Sequence, residues 1–224
     1  IIEPDWFLQK SFHPGHFYFA MECVLEVKNR IENAGGHFFV FCCDVLKAFH
    51  FLKQHYNITV IHSHEETGAG WTYERDKNLK KWCTEHNLDW IEYPSNGVVR
   101  KLADRDMYSR IWNARMRESV LAPPIHFKCT KSEVLKQVAE DPCVVNRFFD
   151  KRVNCTSRLG FTLFDVLKIA FPHKKYIQGQ FSDFDFARRQ KGGTSQAKEY
   201  LKSFLENRGK NYTFEMSSPV TSWS

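Results

Sequence analysis

The chain has 224 residues, is 42% hydrophobic and 15% aromatic, and carries a net charge of +6, which suits an ordered globular protein of one domain, or one domain with a tail. No apolar run reaches transmembrane length, and Ile1-Ile2-Glu3-Pro4 opens without a basic segment or signal pattern, so neither a membrane-spanning nor a secreted protein is expected. Seven scattered cysteines avoid the C-x-x-C spacings of zinc, haem and dithiol sites and read as reduced thiols of a cytosolic protein. The positive charge leans toward a polyanionic partner, and the sequons at Asn57, Asn154 and Asn211 are chance matches in a chain without a signal.

The chain begins in strand-like Ile1-Ile2. From Phe17 to Ile31 the residues Phe17, Met21, Val24, Val27 and Ile31 recur at helical spacing, and Gly35-Gly36 supplies a stop. Phe38 to Cys42 is a short apolar run, as expected for a strand covered on both faces, in which Cys42 and Cys43 point to opposite sides. Asp44 caps a predicted helix to about Tyr56, with Leu46, Phe49 and Leu52 or Lys53 on its buried side. Ile58 to Ile61 predicts a second buried strand, Tyr73 to His86 a helix with Leu79 and Trp82 or Cys83 inward, and Leu88 to Tyr93 another strand before the turn Pro94-Ser95-Asn96-Gly97. Strands alternating with helices predict a Rossmann-like α/β fold, a parallel sheet with helices on both faces, followed by a mostly helical connecting region. After Trp112 the pattern weakens, with short helices expected over Ser132–Glu140 and Thr162–Ile169. A well-signalled helix follows Gly192-Gly193-Thr194, with Ala197, Tyr200, Leu201, Phe204 and Leu205 on its apolar face and Gly209 at its end.

Several clusters invite a chemical reading. His62 and His64 alternate on a strand before Glu65 and Glu66, but no third ligand follows at a metal-site spacing, so a polar loop at a strand end is the better reading. Glu74-Arg75-Asp76 at a helix start suits structural ion pairing over acid–base chemistry. Arg100, Arg105, Arg110 and Arg115 recur at five-residue steps, which spirals round a helix and favours a solvated face. The basic groups Lys174-Lys175 and Arg188-Arg189-Gln190-Lys191 favour solubility over phosphate contact. Gly68-Ala69-Gly70 lacks the Gly-Lys-Ser/Thr of a phosphate loop, and no nucleophile elbow or Cys-His arrangement occurs. The residues alone give a ligand-binding α/β domain with no visible active site.

Taken in order, Ile1-Ile2-Glu3-Pro4-Asp5-Trp6, Phe19 to Leu25, Gly35-Gly36-His37-Phe38, Tyr73-Glu74-Arg75-Asp76 through Trp82, and Asn96-Gly97-Val98-Val99-Arg100 through Trp112 resemble the N-terminal domain of the DNA photolyase and cryptochrome family. Gly192-Gly193, Ala197, Leu201, Phe204, Arg208, Tyr212 and Ser218-Pro219 resemble the entry to that family's flavin domain. The resemblance implies an antenna-binding α/β domain over 1–121 whose first strand lies upstream, a connector over 122–191, and the start of the FAD-binding helical domain over 192–224. It implies a fragment of a blue-light-driven flavoprotein that repairs pyrimidine dimers in damaged DNA, or of a cryptochrome-type photoreceptor without repair activity. An unrelated nucleotide-binding protein or metal hydrolase is the remote alternative. Tyr212 and Ser224 are the implied FAD contacts, and no catalytic residue is expected in this stretch. Asp44, His64, Glu65, Glu66 and Asn96 are the loop residues implied to face an antenna chromophore, a folate or a deazaflavin. A monomer in the cytoplasm, or in the nucleus of a eukaryote, is expected.

Overall fold

The computed structural model describes residues 1–56, 58–128, 136, 138–144, 163–171 and 189–215. The predicted Ser132–Glu140 helix lies largely outside these, as do Asn57, Asn154, Lys174-Lys175, Arg188, Ser218-Pro219 and Ser224. The fold class is α/β. The chain divides into two compact units, one spanning Cys43–Ile125 together with Ile1, the other Ile2–Cys42 and His126 onward.

In the first unit, helix α3 (Val45–His55) starts at Asp44, whose Oδ1 accepts from Leu46 N at 2.8 Å and Lys47 N at 3.3 Å. (Helices α1, Pro4–Phe7, and α2, Pro14–Asn33, belong to the second unit.) Strand β1 (Val60–His64) begins two residues later than the apolar run suggests and pairs in parallel with β2 (Asp89–Tyr93), Val60 opposite Asp89 and His64 opposite Tyr93. Its burial alternates, Ile61 inward and Val60 40% exposed, so the expected fully buried strand is one-sided here.

The crossover helix α4 (Gly70–Glu85) starts three residues before Tyr73 because the Ala69 carbonyl accepts from Thr72 Oγ1 at 2.6 Å and from the Thr72 and Tyr73 amides. It ends where Asn87 adopts φ 52°, a left-handed conformation asparagine tolerates, which lets Leu88 N bond back to Cys83 O. Val45, Ile61, Leu79, Trp82, Cys83 and Leu88 form the core. Trp82 is its largest member, and burying such a side chain contributes about 2–3 kcal/mol. Its indole N–H donates to His50 Nε2 at 2.9 Å, and the His86 ring stacks on it at 4.4 Å. Helix α5 (Tyr108–Met116) follows a single 3₁₀ turn.

In the second unit, Pro14 occupies the first turn of α2 and His13 Nδ1 accepts from Gly15 N at 3.1 Å, which sets its start. Gly35, at φ 81°, closes it, as the glycine pair predicts. The expected strand Phe38–Cys42 is reduced to single bridges, Ile2 with Cys42 in parallel and Phe41 with Val144 antiparallel. Helix α6 (Leu163–Ala170) realises the predicted Thr162–Ile169 helix. Phe17, Tyr18 and Met21 of α2 pack with Ile2, Phe7, Val40, Leu163, Val166 and Leu167. Tyr18 Oη accepts from Leu163 N at 2.9 Å, tying α6 to α2.

Helix α7 (Thr194–Glu206) starts after Gly193 as expected but ends three residues before Gly209, which falls in a 3₁₀ turn over Arg208–Asn211, and Leu201 and Leu205 on its apolar face stand 57% and 71% exposed. Its N-terminus rests on α2: Glu22 Oε2 accepts from Gly192 N at 2.8 Å and Glu26 Oε2 from Ser195 N at 3.2 Å. Arg189 grips the same Glu22 carboxylate through both terminal nitrogens, at 2.8 and 2.5 Å. Helix α8 (Tyr212–Glu215) ends the described chain. No helix among the described residues is long and apolar enough to cross a membrane.

Candidate functional site

The parallel register sets the carboxyl ends of β1 and β2 side by side, and Glu65 N extends the ladder by one bond to Tyr93 O at 2.8 Å. Two loops leave from here. Glu66 Oε1 accepts from Gly68 N at 2.6 Å, which turns the first loop toward α4. Asn96 Oδ1 accepts from Val98 N at 2.8 Å and shapes the second, while Asn96 Nδ2 donates to Thr67 Oγ1 at 3.1 Å and links the two.

Helix α5 clamps the second loop from outside. Arg115 Nη1 donates to the carbonyls of Asn96 and Val98, both at 3.0 Å. The Trp112 indole lies so close to Gly97 that a β-carbon there would come within 2.1 Å of it. The requirement at Gly97 is therefore space, beyond the turn chemistry that Asn-Gly suggests.

Charges converge beneath the loops. Arg100 reaches Glu92 at 2.7 Å, Glu65 at 3.8 Å and Asp76 at 3.9 Å. Arg75 pairs with Asp76 at 2.8 Å and lies 3.9 Å from Glu66. Burial works to lower the Arg100 pKa, but the Glu92 hydrogen bond and the charges of Glu92, Glu65 and Asp76 outweigh it and raise it further. Arg100 is thus a permanent cation, and four carboxylates around two guanidiniums leave the cluster negative.

Of the residues singled out in the sequence, His64, Glu65, Glu66 and Asn96 meet at this strand end, whereas Asp44 is engaged in capping α3. His62 is stacked on Tyr93 at 5.9 Å, with its Nδ1 3.0 Å from the Tyr93 hydroxyl. Among the described residues no three His, Cys, Asp or Glu side chains converge as a metal site. Arg75 and Asp76 form the expected structural pair, while Glu74 turns to Lys77 at 2.8 Å.

The arginine series departs from the solvated-face reading at two positions, Arg100 and Arg115, because the partners of both lie on the strand ends and the turn. The sequence carried one signal for Arg100: Glu92 shares a strand face with Trp90, whose side chain packs inward, and an inward carboxylate requires a cation. In the second unit Tyr212 is 45% exposed, its ring packed edge-on against Phe204 with the ring centroids 5.4 Å apart. Ser224 lies outside the described residues.

Residues 1–105 match the family model of DNA photolyase. They are similar to a photolyase-type N-terminal domain. The match takes in Ile2–Cys42 of one unit and Cys43 to Arg105 of the other, and includes the charged residues Glu65, Glu66, Arg75, Asp76, Glu92 and Arg100 but not Trp112 or Arg115. No curated protein matches the chain.

Proposed function

We propose that this chain is the N-terminal part of a blue-light-driven flavoprotein that repairs pyrimidine dimers in damaged DNA. The photolyase match over residues 1–105 is the observation that carries the reading. In it, residues 1–121 are the antenna domain, 122–191 a connector and 192–224 the opening of an FAD-binding helical domain.

The strand end supplies a donor and acceptor set that fits the ring edge of a folate or deazaflavin. Glu65 and Glu66 offer carboxylate oxygens to ring N–H groups, His64 offers an exposed imidazole, and Asn96 offers an amide on a clamped loop. When bound, such a group absorbs light and passes the excitation to the flavin. The protein's part is positional: Arg100 holds Glu65 and Glu92, and α5 fixes the Asn96 loop. On the other unit, Tyr212 and Ser224 are the proposed FAD contacts, and the half-exposed Tyr212 hydroxyl is available to a ligand. The protein acts as a monomer in the cytoplasm or nucleus.

The test is expression of the complete open reading frame, with flavin content measured by absorbance and dimer repair under blue light by lesion counting. Flavin together with light-dependent repair supports the reading. Flavin without repair moves the protein to a cryptochrome-type photoreceptor, and a protein that binds no flavin overturns both.

A further inference from the structure

Cys42 and Cys43 cannot bond to each other across a strand, because neighbouring side chains point to opposite faces. The second unit gives Cys42 a different partner. Phe41 stands opposite Val144 in an antiparallel bridge, so one step along each segment Cys42 faces Cys143. The register is fixed by Cys42 N, which donates to Cys143 O at 2.7 Å. The Cys143 amide is itself held by Asp141 Oδ1 at 2.7 Å.

Directly opposed residues of an antiparallel pair share a face, with β-carbons about 4.5–5.5 Å apart. A disulfide requires about 3.8 Å between β-carbons and α-carbons within about 6.8 Å, so closure takes an approach of roughly 1 Å. Thiol proximity has independent support. Burial raises the Cys42 thiol to about 12, and the neighbouring charge of Cys143 adds to the shift. Cys42 lies in the core of the second unit with its Sγ 3.9 Å from Val166 O, a weak contact it must leave to reach Cys143, while Cys23 accepts from Gly193 N and Cys83 lies in the core of the first unit.

We propose that Cys42 and Cys143 are a redox pair that closes to an intramolecular disulfide when the protein meets a peroxide. Cys143 is half-buried and meets the oxidant first, whereas Cys42 is 2% exposed. The Cys143 thiolate attacks one peroxide oxygen, the O–O bond breaks, and hydroxide leaves a sulfenic acid. The Cys42 sulfur, giving up its proton, then attacks the Cys143 sulfur; the S–O bond breaks and water leaves. Two thiols and one hydrogen peroxide become one disulfide and two waters. Burial that penalises a Cys42 thiolate does not penalise the neutral disulfide, so the apolar setting slows the closing step but does not oppose its product. The crosslink pins the 138–144 segment to the chain just before Asp44.

The experiment treats the purified protein with equimolar hydrogen peroxide and maps its peptides without reduction, in a Cys43→Ser background so that the site is unambiguous. The expected result is an intact mass lower by two hydrogens and a peptide joining Cys42 to Cys143, restored to two thiols by dithiothreitol. Cys143→Ser abolishes the crosslink, and Cys42→Ala leaves Cys143 as a sulfenic acid that dimedone traps. Should Cys42→Ala not fold, by circular dichroism, the Cys43→Ser map and Cys143→Ser still decide. Cys143 joined to any other cysteine, a dimedone adduct at Cys143 with Cys42 present, or no loss of hydrogens overturns the proposal.

Discussion

Replacing Glu22 with glutamine tests what docks α7 on α2. The carboxylate receives two hydrogen bonds from Arg189 and one from Gly192 N, and each member of the ion pair is only 12% exposed. Removing one partner from a fully buried pair costs about 3–5 kcal/mol, because the other charge is left desolvated. Glutamine keeps one acceptor for Gly192 and the site retains some solvent, so a loss of about 2–3 kcal/mol is expected. Against a whole-domain stability of about 5–15 kcal/mol that is a large fraction.

Urea denaturation followed by far-UV circular dichroism reads the loss as a midpoint lower by about 1 M, and hydrogen exchange reads it locally as lost protection at Gly192. A double-mutant cycle with Arg189→Ala should return a coupling of about 1–2 kcal/mol. A loss under about 0.5 kcal/mol, or additive single substitutions, would refute the reasoning.

The pH dependence of the clasp has a definite sign. Burial alone would raise the Glu22 carboxyl, but the Arg189 hydrogen bond, the Gly192 amide and the charges of Arg189 and Lys191 hold it below the usual carboxylate range. A group depressed in the folded state contributes stability that is present above its unfolded pKa and lost as pH falls through the folded one. Protection at Gly192 should therefore hold at neutral pH and fall below the carboxylate range, and Glu22→Gln should flatten that dependence.

Gly97→Ala should push the Trp112 indole off the turn, since the new carbon meets Trp112 Cδ1 at 2.1 Å, and red-shift tryptophan emission; equal spectra would mean the loop yields without moving α5. Asp44→Ala removes the α3 cap and should cost about 1 kcal/mol in urea denaturation, while Asp44→Asn should cost much less. Arg100→Gln removes the cation shared by Glu65, Glu92 and Asp76, leaves Asp76 only Arg75, and should lower the urea midpoint; an unchanged midpoint would show that Arg100 does not organise the cluster. Cys42 should resist iodoacetamide at neutral pH, its thiol lying at about 12, whereas Cys143 is alkylated; equal labelling by mass spectrometry would contradict the burial argument.

The helices were legible because their signals are local. The apolar spacing in α2, Asp44 before α3, Gly35 after α2 and the glycine pair before α7 each act within a turn or two of the chain. The strands were legible as apolar runs but not in extent. Ile58 and Thr59 fall outside β1 and Phe38–Cys42 is cut to bridges, since a strand exists only where a partner pairs with it. At the site, sequence order brought His64, Glu65, Glu66 and Asn96 forward as strand-end residues, and parallel pairing placed four of the five loop candidates together.

The fold class, the main helices and the photolyase likeness of residues 1–105 follow from the sequence alone, because periodicity, capping and ordered motifs are written along one dimension. Only the tertiary structure decided that Arg100 answers Glu92, Glu65 and Asp76, that Arg115 and Trp112 hold the Asn96 turn, that Glu22 receives Arg189 and Gly192, and that Cys42 faces Cys143. In each case the partners are separated by from eight to well over a hundred residues, and strand register or helix packing, not sequence spacing, sets the distance between them.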